Sequence, residues 1–285
     1  MNIELQKLWK NIEKKLNHIE NPRKESLYIL KLFLGIDEKD LLLNKKIYLS
    51  LNDLKELYRI TNKRNQYIPL AYLFQKKEFY SMEFYVNPDV LIPRPETEQL
   101  VDLFLKIIKN KKNLSCLDIG TGSGCIPISI LYYSDNIKYF LAIDISKKAI
   151  EVANKNKKTL LNKDKQQLLE IQQLDFIHDI KTISNKEFDF IVSNPPYVLP
   201  DEYKQLDKEL FYEPEIALIV NNPYDFYYKF FKNCLDILHK SGSIILESSP
   251  TLIPLQIKII KELGYKAHEV YKDYQNLDRF LVIKK

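Results

Sequence analysis

The sequence LDIGTGSG, residues 117–124, gives the clearest indication of the fold of this chain. An apolar run typical of a buried strand leads into it, and a helical pattern follows it. Its glycines permit backbone angles that other residues avoid and let a ligand approach the chain closely. In an open α/β sheet, ligands bind beside such loops, beyond the carboxyl ends of the strands. We therefore predict a strand–loop–helix unit whose loop binds a ligand through Gly120, Thr121, Gly122, Ser123 and Gly124.

Strand and helix signals alternate outward from this loop. Apolar runs of strand length occur at 115–119, 139–143, 169–174, 188–193, 243–247, 266–271 and 279–283. Helical patterns lie between the first four runs and on either side of the fifth. The alternation favours an α/β fold, with a mostly parallel sheet covered by helices on both faces. No helix separates the last two runs, so one of these strands should be antiparallel.

The N-terminal part of the chain has a different pattern. Apolar residues recur at helical spacing from residue 1 to about 62, with a break at Asn21-Pro22 and a third helix that begins near the predicted N-cap Asn52. Period-two stretches from 67 to 93 indicate a β-hairpin or extended linker, and a helix should follow from about 97 to 110. We therefore divide the chain into a helical domain (1–72), a β-hairpin linker (73–96) and a sheet-containing domain (97–285).

Composition sets only broad limits on function. The chain has 285 residues and a formal charge of +5, which permits a nucleic-acid partner without demanding one. Its three cysteines show neither paired spacing nor a zinc pattern, so we expect no bound metal and a reducing compartment. The N-terminus lacks the apolar core of a signal peptide, and no run is long enough to span a membrane. These features predict a soluble, cytoplasmic protein.

An acidic residue at the next strand end supports a nucleoside site. Asp144 ends the second predicted strand of the sheet, where its carboxylate can accept hydrogen bonds from both ribose hydroxyls. The glycine spacing is G-x-G-x-G rather than the longer pyrophosphate fingerprint, so S-adenosylmethionine fits better than NAD. Two roles for Asp118 remain open: holding the loop by backbone hydrogen bonds, or meeting the methionyl part of the cofactor through water.

The third strand end carries Asp175-Phe176. A polar acceptor beside an aromatic ring suits an adenine, which needs a partner for its exocyclic amine and a surface to lie against. A turn-forming Asp and a core Phe would explain the same pair in isolation. Because two other strand ends already point to a nucleoside, we predict that Asp175 and Phe176 bind the cofactor.

The fourth strand delivers Asn194-Pro195-Pro196-Tyr197, the most informative motif for chemistry. An amide or aryl amine nitrogen is a poor nucleophile, because its lone pair is delocalised, so methyl transfer needs in-line positioning and acceptors for its hydrogens. Asn194 offers a side-chain oxygen, and Pro195 offers a carbonyl without a competing N–H. Pro196 helps to fix the backbone, and Tyr197 offers an aromatic face. We predict that these four residues bind the substrate and that Asn194, Pro195 and Tyr197 are catalytic.

The motif alone does not identify the methyl acceptor. Glutamine amide, adenine amine and cytosine amine pose the same chemical problem, and a proline-rich turn without function is the plain alternative.

The chain resembles the bacterial-type peptide chain release factor glutamine methyltransferases over nearly its whole length. The blocks PLAYL (69–73) and LIPRPETE (91–98) are similar to family signatures, and the glycine loop, Asp144, Asp175-Phe176 and Asn194–Tyr197 follow in the family's order. Glu213-Pro214, Ala217-Leu218, Glu247 and 273–280 match weaker segments. The family usually has Gly where this chain has Phe74-Gln75, and a glycine-containing stretch where it has Ser248-Ser249-Pro250.

This resemblance implies a class I S-adenosylmethionine-dependent methyltransferase with a Rossmann-like, seven-stranded sheet and a small N-terminal helical domain that helps to dock the substrate. It implies methylation of the glutamine in the Gly-Gly-Gln loop of class 1 release factors, in translation termination. By the same resemblance, Gly120–Gly124, Asp144, Phe176 and Asn194 contact the cofactor, and Asn194–Tyr197 hold the glutamine. Arg94 and Glu96 either order the loop near the site or form a helix entry.

Three rival functions remain. A ribosomal-protein glutamine methyltransferase shares the Asn-Pro-Pro-Tyr motif, although the PETE segment (95–98) favours the release-factor branch. A DNA or RNA adenine methyltransferase must bind phosphates and unstack its base, but the Lys clusters here are scattered. A non-enzymatic binder would not need both motifs. We expect no stable nucleic-acid partner, and we expect the protein to be a monomer.

Overall fold

A computed structural model describes residues 1–43 and 45–285 and contains two compact units. The first unit comprises residues 1–75 together with 207–212, and the second comprises 76–206 and 213–285. No helix of the described residues is long and apolar enough to cross a membrane.

The first unit is mostly helical. In chain order it contains β1 (Asn2–Glu4), α1 (Leu5–Lys15), α2 (Pro22–Leu34), α3 (Glu38–Leu42), β2 (Lys46–Tyr48), α4 (Leu51–Arg64) and α5 (Leu70–Leu73). The amphipathic faces of these helices bury one apolar core, which includes Leu5, Leu8, Ile12, Leu30 and Leu57. Buried Arg64 pairs with Glu25 of α2 and with Glu209, so two carboxylates compensate its charge inside the unit.

Two details of this unit differ from the sequence prediction. Asn2–Glu4 is a strand paired antiparallel with Lys46–Tyr48, not the start of a helix. Helix α4 begins after Ser50, whose side chain accepts from the Asp53 N–H while Asp53 accepts from the Ser50 N–H. This reciprocal capping box satisfies two free N–H groups of the first turn, so Asn52 as the N-cap was wrong.

Gln75 explains one departure from the resembled family. Its φ is 54°, in the left-handed region that glycine adopts without strain. Gln75 adopts this conformation with a side chain present, at a cost of roughly 1–2 kcal/mol.

A hairpin and a short extended segment open the second unit. Strands β3 (Lys76–Phe79) and β4 (Met82–Tyr85) pair antiparallel around Tyr80-Ser81, and both turn residues have positive φ, as a type I′ turn requires. Helix α6 (Pro95–Ile108) follows. It begins two residues earlier than predicted, because proline is well tolerated at the first helical position.

All seven predicted strands of the sheet are confirmed. They are β5 (Leu114–Ile119), β6 (Ile137–Asp144), β7 (Leu169–Gln173), β8 (Phe188–Ser193), β9 (Leu238–Glu247), β10 (Ala267–Lys272) and β11 (Asp278–Lys284). The order across the sheet is β10-β11-β9-β8-β5-β6-β7. The five strands from β9 to β7 are parallel, and β11 is antiparallel to both neighbours, as predicted for one of the last two.

The remaining helices are α7 (Cys125–Tyr133), α8 (Lys147–Leu160), α9 (Lys163–Leu168), α10 (Pro200–Tyr203), α11 (Pro223–Ile237) and α12 (Ile253–Glu262). Side chains alternate between two apolar cores, so that Cys116 packs into one and Leu117 into the other. Successive parallel strands run from β5 outward to β7 and then back from β8 to β9. The direction therefore reverses between β5 and β8, and such switch points are where α/β sheets bind ligands.

The capping box of α4 can be tested with a matched pair of substitutions. Ser50→Ala should reduce the stability of α4 by about 1 kcal/mol, because it removes the N-cap acceptor. The exposed Asn52→Ala should leave it unchanged or slightly raised, because alanine favours helix interiors. Hydrogen exchange of the α4 amides measures both effects. Equal protection in the two variants would contradict the assignment.

Candidate active site

The glycine loop joins β5 to α7 at the switch point. The N–H groups of Gly120 and Thr121 both donate to the Ile143 carbonyl at 2.9 Å, which ties the loop to the end of β6. Gly120, Gly122 and Gly124 all have positive φ. A Cβ at Gly124 would lie 3.0 Å from the Ile128 side chain, whereas a Cβ at Gly120 or Gly122 would meet nothing within 4 Å. The last glycine is closely packed, and the first two leave open space beside the loop, which we call the glycine cradle.

Asp144 lies beside this cradle at the end of β6. One carboxylate oxygen accepts from the Gly122 N–H and the other from the Ser146 N–H, both at 2.9 Å. Burial raises the pKa of Asp144, while these hydrogen bonds favour its ionised form. The carboxylate is only partly covered. It is therefore oriented by the loop and keeps acceptor capacity for hydroxyl donors.

Asp118 is fully buried at the end of β5. Neither of its carboxylate oxygens has a hydrogen-bond partner among the described residues, although the Thr121 hydroxyl is near enough to lower the pKa in part. Burial outweighs that effect, and with a smaller contribution from Asp144 it raises the pKa of Asp118 to about 7. The alternative in which Asp118 holds the loop by backbone hydrogen bonds is therefore wrong.

Asp175 and Phe176 follow β7. The Asp175 carboxylate accepts from the N–H groups of Ile177 and His178, and it contacts the His178 ring nitrogen at 2.8 Å. Burial alone would raise the pKa of Asp175, but the His178 and backbone hydrogen bonds hold it below its usual value. The Phe176 ring is buried against Phe230, with centroids 5.4 Å apart. The turn explains the position of Asp175 and the core explains that of Phe176, so their role in binding the cofactor stays a prediction.

The end of β8 is tied to the end of β5. The buried Ser193 hydroxyl donates to the Ile119 carbonyl at 2.6 Å. Asn194 follows directly, and its side-chain N–H donates to the Thr97 hydroxyl of α6 at 3.1 Å. No residue that the structure describes donates to the Asn194 Oδ1. The amide is therefore oriented by its nitrogen, and its oxygen is left as an acceptor.

The rest of the Asn-Pro-Pro-Tyr loop is held from two sides. The buried Tyr227 hydroxyl of α11 donates to the Pro196 carbonyl at 3.0 Å, so of the two prolines only Pro195 keeps its carbonyl without a described donor. The Tyr197 hydroxyl lies 3.4 Å from the Glu247 Oε1. Burial and the negative charge of Glu247 raise the pKa of Tyr197, so its hydroxyl stays protonated.

The LIPRPETE segment is held by Glu213. This buried carboxylate accepts from the Ile92 N–H at 3.0 Å and pairs with the Arg94 guanidinium. Arg94 also occupies the N-cap position of α6, which agrees with its predicted place at the helix entry; its role in ordering the loop near the methyl-transfer site stays a prediction. Among the described residues the Glu96 side chain forms no hydrogen bond or ion pair, and its negative charge helps to raise the pKa values of Tyr197 and Glu247.

Asn156 of α8 links the glycine loop to the hairpin. Its side-chain nitrogen donates to the carbonyls of Ser123 and Tyr85 at 2.8 and 2.9 Å, and its oxygen accepts from the Tyr85 N–H at 2.8 Å. The amide thus pairs with Tyr85 as a neighbouring strand would. Sequence analysis missed this residue because nothing in the local pattern of α8 distinguishes it.

No group of three or more His, Cys, Asp or Glu side chains among the described residues could hold a metal ion. The carboxyl ends of the central strands instead bring together the open glycine cradle, the oriented carboxylate of Asp144 and the oriented amide of Asn194.

The fold and the two loops at its switch point define a class I S-adenosylmethionine-dependent methyltransferase. Sequence comparison agrees: a family model described as Methyltransferase small domain matches residues 96–220, and a PrmC N-terminal domain model matches residues 7–74. A release factor glutamine methyltransferase of Flavobacterium psychrophilum is 35% identical over 90% of this chain and 89% of its own. A protein with the same name from Bacteroides thetaiotaomicron is 36% identical over 87% of each chain. This chain belongs to the release factor glutamine methyltransferase family.

Other similar proteins extend the comparison. A bifunctional methyltransferase of Rickettsia prowazekii is 32% identical over 99% of this chain, which spans 58% of that protein. The hMettl16 catalytic domain, solved with an RNA hairpin, matches 86% of this chain and 85% of its own at a TM-score of 0.56 and 15% identity. SMU.776, solved with SAH, matches 74% of this chain and 56% of its own at 0.53 and 14%. At these identities the two structures show the shared fold.

The role of Asp144 can be tested by binding. Asp144→Ala should weaken S-adenosylmethionine binding about 10- to 100-fold, because a hydrogen bond to a charged group contributes roughly 1.5–3 kcal/mol. The methyl-transfer rate at saturating cofactor should change less. The exposed Asp179→Ala serves as the matched control. Unchanged cofactor affinity in Asp144→Ala by calorimetry would exclude the ribose contact.

Proposed function

We propose that this chain transfers a methyl group from S-adenosylmethionine to the side-chain amide nitrogen of the glutamine in the Gly-Gly-Gln motif of class 1 peptide chain release factors. The family supports the glutamine and the release factor, since relatives carry that activity in their names. The observation that carries the proposal is the orientation of Asn194, whose N–H is bound by Thr97 and whose oxygen is left to accept a substrate N–H.

The acceptors in the loop match the needs of an amide substrate. The two hydrogens of a glutamine –NH₂ group need two acceptors, and the Asn194 oxygen and the Pro195 carbonyl supply them. The Pro196 carbonyl is already bound by Tyr227, so it does not compete. Fixed dipoles of this kind also stabilise positive charge as it develops on the attacked nitrogen.

Tyr197 supplies a surface for the planar amide. Its hydroxyl is held near Glu247 and its ring packs beside the apolar core under α11, which limits its movement. A rigid aromatic face restricts the flat amide to one plane and therefore favours alignment with the methyl group.

The cofactor supplies an electrophilic methyl group on a sulfonium. We place its nucleoside and methionyl parts in the open cradle above Gly120 and Gly122, beside the oriented Asp144 carboxylate. Thr121, Ser123 and Gly124 complete this cofactor-binding loop. We assign Asp175 and Phe176 to the adenine side and Asn194 to the methyl-transfer side. No strong base is required, because a methylated and protonated amide is very acidic and loses its proton readily.

We further propose that residues 1–72 form the domain that docks the release factor, with 73–96 as linker and 97–285 as methyltransferase domain. The match of the PrmC N-terminal domain model supports the first assignment. We also propose that the enzyme acts as a monomer and binds no nucleic acid stably.

Loss of the Asn194 oxygen should abolish most activity. Asn194→Ala should fold normally and transfer methyl about 100- to 1,000-fold more slowly, the usual cost of removing one positioned polar group. The exposed Asn221→Ala is the control. Single-turnover rates at saturating cofactor measure the effect, and a rate near that of the control would contradict the catalytic role.

The identity of the acceptor can be settled with labelled methyl groups. S-adenosylmethionine carrying a labelled methyl should label a class 1 release factor, and mapping should place the label on the glutamine of its Gly-Gly-Gln motif. A release factor with that glutamine replaced by alanine should remain unlabelled. Preferential labelling of ribosomal protein or of DNA, offered in parallel, would replace the proposed function by one of its rivals.

A further inference from the structure

The turn between β10 and β11, residues 273–277, presents an aromatic side chain to solvent. Tyr274 is 86% exposed, and Leu277 on the same turn is 43% exposed. The Tyr274 backbone N–H donates to the Gln99 Oε1 of α6 at 3.0 Å, whereas its hydroxyl forms no hydrogen bond with any residue that the structure describes. Packing within the fold therefore does not explain why an aromatic ring stands at this position.

The backbone that carries Tyr274 is tightly fixed. The buried Asp273 carboxylate accepts from the N–H groups of Gln275 and Leu277 at 2.9 and 3.0 Å and from the Arg279 guanidinium at 3.1 Å. The Asp273 N–H donates to the Leu277 carbonyl at 2.9 Å and closes the turn. Exposed loop tips are usually among the most mobile parts of a protein. Because this tip is already ordered, little backbone entropy is lost when a partner binds to it.

The turn lies at the end of the sheet that carries the candidate active site. The first residues of β11 pair with the last residues of β9, and the end of β9 lies beside the end of β8. Helix α6 binds the turn and the substrate loop at adjacent points, because Gln99 accepts from the turn and Thr97 accepts from Asn194. Helix residues two positions apart differ by only about 3 Å along the axis. The turn therefore stands at the rim of the site.

We propose that Tyr274, together with Leu277, is a docking surface for the protein substrate and contacts it outside the glutamine that is methylated. The inference rests on the proposed function, because it takes that substrate to be a class 1 release factor. The surface fits an uncharged, apolar patch next to the Gly-Gly-Gln loop of that protein. A protein that inserts a loop into the site lies against its rim, and tyrosine provides a large contact area at a low cost in side-chain entropy.

The charges beside the turn favour a protein partner over a nucleic acid. An exposed ring can stack on a base, but nucleic-acid binding also needs unpaired cations for the phosphates. Lys272 lies 3.6 Å from the Asp278 carboxylate, and Arg279 is paired with buried Asp273. Carboxylates therefore compensate both cations that flank the turn, which leaves an aromatic and apolar surface without net positive charge.

The test compares Tyr274→Ala with Tyr132→Ala. Tyr132 is 50% exposed near the end of α7, which leads away from the glycine loop, so it serves as the matched control. The KM of Tyr274→Ala for a class 1 release factor should rise about 5- to 30-fold, as is common for an aromatic side chain that contributes to an interface. The single-turnover rate at saturating release factor and the cofactor affinity should not change, because Tyr274 lies in neither of the two loops assigned to cofactor and glutamine. Tyr274→Phe keeps the ring and should retain the wild-type KM.

A KM of Tyr274→Ala equal to that of the control would overturn the proposal, as would a loss confined to the single-turnover rate. Leu277→Asp places a charge in the same surface, should also raise the KM, and covers the case in which Tyr274→Ala does not fold. Oligonucleotide binding that Tyr274→Ala weakens, or a dimer that it dissociates in light scattering, would assign the ring to another partner and overturn the proposal. Wild-type enzyme that labels no release factor would instead overturn the proposed function, so the two failures are distinct.

Discussion

The hydrogen bond from the Ser193 hydroxyl to the Ile119 carbonyl joins the ends of the two central strands, and the site depends on it. In the proposed function, these strands carry the two loops between which methyl donor and acceptor meet. Methyl transfer requires alignment within fractions of an ångström, and loops are usually the least rigid parts of a sheet protein. A buried hydrogen bond at the base of both loops holds the first residues of one loop against those of the other. The distance between the two loops is therefore fixed by the sheet.

The same end of the sheet, where the parallel strands have their carboxyl ends, also carries buried carboxyl groups. Asp118 and Glu247 are both buried carboxyls at strand ends, and burial raises the pKa of each to about 7. Buried carboxyls without full hydrogen bonding destabilise a fold, and carboxyls with pKa values shifted in this way are concentrated at functional sites. Asp144 differs from both, because backbone N–H groups of the glycine loop compensate its charge.

The sheet could be predicted because its strands are apolar runs of the right length, bounded by loops, which is a local pattern. The glycine loop and the Asn-Pro-Pro-Tyr loop could be placed at strand ends from the same local pattern, and their roles in binding cofactor and substrate stay predictions. The partners that orient them were not found: Thr97 and Asn194 are 97 positions apart, and hydrogen bonds at that distance leave no periodic signal. Likewise, serine and asparagine are both common N-cap residues, so the residue types alone could not show that α4 is capped by Ser50 rather than by Asn52.

Asn156 shows how narrowly one buried position can be specified. Its amide meets two carbonyls and one N–H, all from the main chain of other segments. Aspartate would place a carboxylate oxygen against the two carbonyls, and the glutamine side chain is longer by one methylene. Alanine would leave three main-chain groups without a hydrogen-bond partner, at a cost of roughly 1–3 kcal/mol each. Of these four residues only asparagine satisfies all three main-chain groups, so changes in composition that alter the protein surface should leave this position unchanged.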